Sequence, residues 1–155
     1  MQARSVILLA FVIASAGCTA RVPYEGKSAA DLQRMLKDND PVTQVQGAVG
    51  LAKLGPEARG AVPDLAAALK SSQQLLREQA AHALGEIGVE ARDAVPALIE
   101  ALDDKEWTVR RQAAMALGKI GRDAREAIPK LEKLARDPDH LVRKAAAEAL
   151  ANIRR

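Results

Sequence analysis

At 155 residues, 48% of them hydrophobic but only 2% aromatic, the chain can bury one continuous core yet has little with which to cradle a flat cofactor or stack bases. Its 23 basic and 20 acidic residues leave a formal charge of +3, too small to mark a nucleic-acid partner. A single cysteine rules out an internal disulfide framework.

The chain opens with Arg4, the apolar run of residues 6–14, and then Ser15-Ala16-Gly17-Cys18. The run is far short of the roughly 20 apolar residues that span a bilayer, so residues 1–17 are expected to be a cleaved export signal. Small residues ending in Gly-Cys resemble a bacterial lipoprotein processing site, which implies a lipidated Cys18 and a short tether over residues 18–27. Ser15 stands where that motif most often has leucine. Ala14-Ser15-Ala16 also fits an ordinary signal-peptidase site, which would release a soluble periplasmic protein. With the anchor, ten tether residues reach at most about 36 Å, and the protein works close to a membrane of the bacterial cell envelope. Thr19 after the cysteine points to the outer membrane, on its periplasmic side, if the cell is Gram-negative.

From Ser28 onward one pattern recurs every 33 residues. Pro63, Pro96 and Pro129 keep that step, as do Gly55, Gly88 and Gly121, and the apolar series Leu51, Leu84, Leu117 and Leu150. A fixed period of this size predicts stacked supersecondary units, here residues 28–63, 64–96, 97–129 and 130–155. Each reads as a short helix, a turn and a longer helix. The short helix begins at Ala-Val-Pro, because proline is tolerated in a first turn whose amides have no intrahelical acceptor. The long helix carries a buried stripe, Leu76, Ala80, Ala83, Leu84 and Ile87 in the second copy, with equivalents in the third and fourth. Asp38, Ser71, Asp104 and Asp137 hold one register ahead of the long helices and are expected N-caps, with Pro138 as a first helical residue; in the first copy the helix is expected to start at Asp40. Glycine after the apolar run ends each long helix in a left-handed conformation. Gly85 and Gly118 inside it cost about 1 kcal/mol each in propensity, so close packing is expected there.

The run from Ala94 to Leu102, with residues 109–121 (Val-Arg-Arg-Gln-Ala-Ala-Met-Ala-Leu-Gly-Lys-Ile-Gly), closely resembles the phycobilisome-lyase type of HEAT-like repeat, and the resemblance covers residues 28–155. It implies an all-α fold, a right-handed α-solenoid of about four helix pairs with the second helices lining the concave side. It also implies that Arg77, Arg110 and Arg143, recurring at one position, form a structural ladder with aspartates near the inter-helix turns, of which Asp38, Asp104 and Asp137 are the candidates. Bilin lyase activity does not follow, since nothing outside the shared repeat points to a tetrapyrrole pocket. Related metal-dependent hydroxylases present His-Glu pairs, whereas His82 is followed by Ala83 and His140 by Leu141. No metal, cofactor or catalytic residue is therefore expected.

Once packing positions are set aside, a row on the outer face of each long helix remains: Gln74, Glu78, His82 and Glu86, then Trp107, Arg111, Met115 and Lys119, then His140, Lys144, Glu148 and Asn152. The stack does not require a lone tryptophan, and Trp, Met and Arg are enriched where proteins meet partners. Trp107, Arg111 and Met115 are the expected partner-binding patch, with His82, His140 and Lys144 around it. The competing expectation is that Trp107 packs on neighbouring helices or under residues 19–27. The function expected is a non-catalytic, monomeric scaffold binding a protein or peptide. The alternative is a regulatory or accessory subunit of an enzyme.

Overall fold

The computed structural model describes residues 22–155; the expected leader and Cys18 lie outside the described residues. Eight α-helices follow one another: α1 (Ala29–Leu36), α2 (Pro41–Leu54), α3 (Val62–Ala68), α4 (Gln74–Ile87), α5 (Val95–Ala101), α6 (Trp107–Ile120), α7 (Ile128–Leu134) and α8 (His140–Arg154). Each odd-numbered helix pairs with the even-numbered helix after it, giving four hairpins and no strand among the described residues. Three-ten turns at Gly55–Ala61, Gly88–Ala94 and Gly121–Ala127 link successive pairs. Pro63, Pro96 and Pro129 fall in the first turns of α3, α5 and α7, where their missing amides leave no acceptor unfilled.

The long helices α2, α4, α6 and α8 stack each on the next as one tight layer, while the short helices touch one another sparsely. Small side chains make this possible. A Cβ on Gly85 would lie 3.1 Å from Ala116 Cα, and one on Gly118 would lie 2.9 Å from Ala149 Cα. Leu51, Leu84 and Leu117 are completely buried between the two layers, as are Leu65, Leu98 and Leu131 from the short helices. Gly55, Gly88 and Gly121 end their helices with φ of +56°, +71° and +74°, as the sequence pattern requires.

At the first repeat the free side of α2 is closed by Tyr24. A Cβ on Gly50 would come within 2.9 Å of Tyr24 Cβ, and the Lys53 ammonium sits 4.8 Å from the phenol ring centroid. The tyrosine occupies the side of α2 that a preceding long helix would cover.

The expected N-caps need correcting. The residues that cap the long helices are Asp40, Gln73, Glu106 and Asp139, two places further on, and Asp40 and Asp139 accept first-turn amides directly. Asp38, Ser71, Asp104 and Asp137 instead each accept the amide of that capping residue, at 2.9 to 3.2 Å, which folds the approach to the helix. Pro138 belongs to this turn, and α8 starts at His140.

Candidate functional site

The arginine series links consecutive repeats. Arg77 Nη1 donates to the carbonyls of Ser71 and Ser72 in its own turn, at 3.0 and 3.2 Å. Its other edge faces the next repeat, where Nε and Nη2 meet both oxygens of Asp104 at 2.7 and 3.0 Å. Arg110 repeats the arrangement with the carbonyls of Asp104 and Lys105 and, at 2.8 and 3.0 Å, with Asp137. Burial pushes both carboxyls up, but the guanidinium hydrogen bonds and the capping-residue amides outweigh it and hold Asp104 and Asp137 below the ordinary carboxylate range. Hydrogen bonding to the aspartates raises Arg77 and Arg110 in turn.

The ladder thus has two full rungs. Arg143 reaches only the carbonyls of Asp137 and Pro138, at 2.8 and 2.9 Å. Asp38 meets no arginine among the described residues, and the equivalent of the arginine is Gln44, which donates to the Asp38 carbonyl and accepts from Gln73, each at 2.7 Å.

On the outer face of the long-helix layer, Trp107 is the first residue of α6 and remains 39% exposed, so it is neither enclosed by the stack nor free of it. One turn on, the Arg111 guanidinium carbon lies 5.4 Å from the indole centroid, and one turn further Met115 is 38% exposed. Arg111 is half-buried and its Nε is shut off from water with no hydrogen-bond partner. His82 on α4 joins Met115 across the helix junction: the two line a shallow depression with Gly85, Gln112 and Lys119. Glu86 gathers the polar groups there, 2.6 Å from Lys119 and 3.2 Å from His82, and the Lys119 hydrogen bond lowers its carboxyl despite burial.

His140 and Lys144 are exposed on α8 at the positions that Trp107 and Arg111 hold on α6. They extend the row by one helix, but no hydrogen bond or ion pair joins them to the α6 residues, and Lys144 lies 3.9 Å from Glu148 of its own helix. Two further apolar side chains belong to this face and were not singled out by the repeat pattern: Val42, 57% exposed, and Leu75, 53% exposed, each the second residue of its long helix. Their signal was an aliphatic residue off the buried stripe. Among the described residues no group of three or more His, Cys, Asp or Glu is placed to hold a metal, and no helix is long and apolar enough to cross a membrane.

Four helix pairs stacked through one continuous core define an α-solenoid scaffold. Residues 28–94 and 62–151 match the family model for HEAT repeats, and the chain belongs to that family. Among solved structures it is similar to an engineered protein at 29% identity and a TM-score of 0.72, covering 81% of this chain and 62% of that one. It is also similar to human deoxyhypusine hydroxylase in complex with glycerol, at 30% identity, TM-score 0.64, over 84% of this chain and 44% of the other. The complex of CpcE and CpcF of phycocyanin lyase from Nostoc sp. PCC7120 shares the fold at 22% identity and TM-score 0.61, over 94% and 69%. No curated protein sequence matches the chain. The solenoid therefore spans under two thirds of the first engineered structure and under half of the hydroxylase, and its neighbours include both designed scaffolds and enzyme components.

Proposed function

We propose that this chain is a non-catalytic scaffold that holds a protein or peptide against the outer face of its long helices, anchored in the bacterial cell envelope through Cys18. The observation that carries the reading is Trp107, left 39% exposed with Arg111 stacked on it, at a position that Gln74 and His140 fill in the adjacent repeats without disturbing the fold. Large amphipathic side chains that order without being buried are the usual energetic centres of interfaces. A designed armadillo repeat protein, 20% identical with a TM-score of 0.72, is described in complex with the peptide (KR)4, and that precedent supports the reading of a peptide ligand.

The test has two parts. Trp107→Ala should cost about 1 kcal/mol of stability or less, against roughly 2 to 5 for Leu84→Ala in the core. Affinity purification from membranes should then lose its partners in Trp107→Ala and Met115→Ala; identical partners in both variants and wild type would refute the scaffold reading. Mass spectrometry of the mature N-terminal peptide tests the anchor: a diacylglyceryl-modified Cys18 is expected, and an unmodified cysteine in a longer or soluble chain would remove it.

A further inference from the structure

Three arginines of the described chain are at least half-buried, and two of them, Arg77 and Arg110, hold carboxylates. The third, Arg111, has no ion pair and no hydrogen-bond partner among the described residues, with its Nε withdrawn from water and its plane kept near the Trp107 indole. A guanidinium desolvated without compensation is costly to leave so, and one already ordered on an aromatic ring loses little more freedom when a carboxylate arrives at its terminal amino groups.

One repeat earlier, at the equivalent position of α4, Glu78 is the mirror case. It is half-buried and makes neither an ion pair nor a side-chain hydrogen bond among the described residues. Stacked helices lie roughly 10 Å apart, so the two charges face outward one helix spacing from each other instead of pairing. The remaining charge of this stretch is already matched, since Lys119 holds Glu86. Gln79 and Gln112, next along each helix, are half-buried and make no side-chain hydrogen bond among the described residues; Gln112 lines the depression between α4 and α6. Their amides both donate and accept, which is what a peptide backbone asks of a surface.

We propose that the face formed by α4 and α6 binds an extended peptide segment carrying one basic and one acidic residue about three positions apart, the first on Glu78 and the second on Arg111, with its backbone over Gln79 and Gln112. The spacing follows from a rise of about 3.3 Å per residue against one helix separation. Charge complementarity selects this ligand: a uniformly acidic segment is repelled at Glu78 and a uniformly basic one at Arg111. The inference rests on the partner-binding reading of this face and names the chemistry of the partner.

Trp107 is the chain's only tryptophan, so its emission reports occupancy of the site directly. The probes are three blocked peptides of one aliphatic and serine background, with Lys and Glu three residues apart, with two Lys, or with two Glu. Wild type should bind the mixed peptide at least about tenfold more tightly than either uniform one. Arg111→Glu should shift the preference to the two-Lys peptide and Glu78→Lys to the two-Glu peptide, with unchanged circular dichroism showing that both variants are folded. Equal binding of all three peptides, or a preference that the substitutions leave unchanged, would overturn the charge assignment while leaving the scaffold standing. So would wild type binding none of them while membrane partners are still lost on Trp107→Ala. A second copy of the chain offers the same two charges, and a dimer in sedimentation that Arg111→Glu dissolves and Arg111→Glu with Glu78→Lys restores would replace the peptide by self-association.

Discussion

Asp104 does three things at once: it receives Arg77 through two hydrogen bonds, folds the turn by accepting the Glu106 amide, and does so with its side chain 10% exposed. Its partner is as deeply placed, with the Arg77 side chain 8% exposed. Asp104→Ala therefore leaves a buried cation unmatched, and urea unfolding should show a loss of about 3 to 5 kcal/mol. Acidity tests the same group. Its carboxyl is held below the ordinary value of 3.8, so the stability it contributes is complete above that value and disappears as pH falls through the lower folded value. The melting temperature of wild type should drop as pH is lowered below about 4, and that of Asp104→Asn should drop less; parallel curves would mean that the bond stabilises neither state preferentially. The arginine periodicity and the candidate aspartates were readable in the sequence, but not which aspartate each arginine takes. Asp104 precedes Arg110 by six residues and follows Arg77 by 27, and both intervals repeat with the period. Geometry decides, because Arg77 and Arg110 each spend Nη1 on their own turn and turn Nε and Nη2 toward the next repeat.

Between elements the decisive contacts are those where backbone meets backbone. Gly118 costs α6 about 1 kcal/mol in helix propensity, and a methyl there would sit 2.9 Å from Ala149 Cα and 3.2 Å from its Cβ. Gly118→Ala should consequently destabilise the protein in spite of its better propensity, by about 1 to 3 kcal/mol, because α8 must move away. Gly60 is the matched control: a Cβ there would meet nothing within 4 Å, and Gly60→Ala should be neutral or stabilising by about 0.4 to 1 kcal/mol. Differential scanning calorimetry that ranked the two the other way would show that propensity, not the helix contact, sets the stability of α6. The internal glycines, the prolines in the first turns and the apolar stripes were all legible, because each is forced by the period and has one physical use. The caps were not, since Asp38 with Asp40 and Asp137 with Asp139 offer the same side chain at two places, either able to accept an amide. Trp107 was legible as an anomaly only; its half-exposed state depends on how far α4 and α8 leave the first turn of α6 uncovered.

A stack of repeats is as cooperative as its weakest junction, and the first junction lacks the arginine–aspartate rung of the other two, although Lys37 and Gln33 tie it to Asp64. Arg77 and Arg110 tie the second repeat to the third and the third to the fourth, whereas the corresponding pair between the first and second is Gln44 and Ser71, which do not touch through a carboxylate. A cleft opens at that junction, lined by Leu36, Gln44, Asp64, Ser71 and Leu76. The bonds that a rung needs are half present: Gln44 already reaches the Asp38 carbonyl, as Arg77 reaches that of Ser71. Gln44→Arg should extend this contact and direct its free edge at residue 71, where Ser71→Asp supplies the missing acceptor while keeping the hydrogen bond that Ser71 now makes to the Gln73 amide. Together the two substitutions should raise the unfolding free energy by about 1 kcal/mol, with each alone giving less, because the arginine alone stays unmatched and the aspartate alone gains no cation. Amide exchange locates the gain. Protection of α1 and α2 should rise toward that of α4 and α6, since a better junction transmits the stability of the interior repeats to the end of the stack. If the double variant equals the sum of its single effects, or if protection rises uniformly along the chain, no rung has formed at the first junction, and the ladder does not set the cooperativity of the stack.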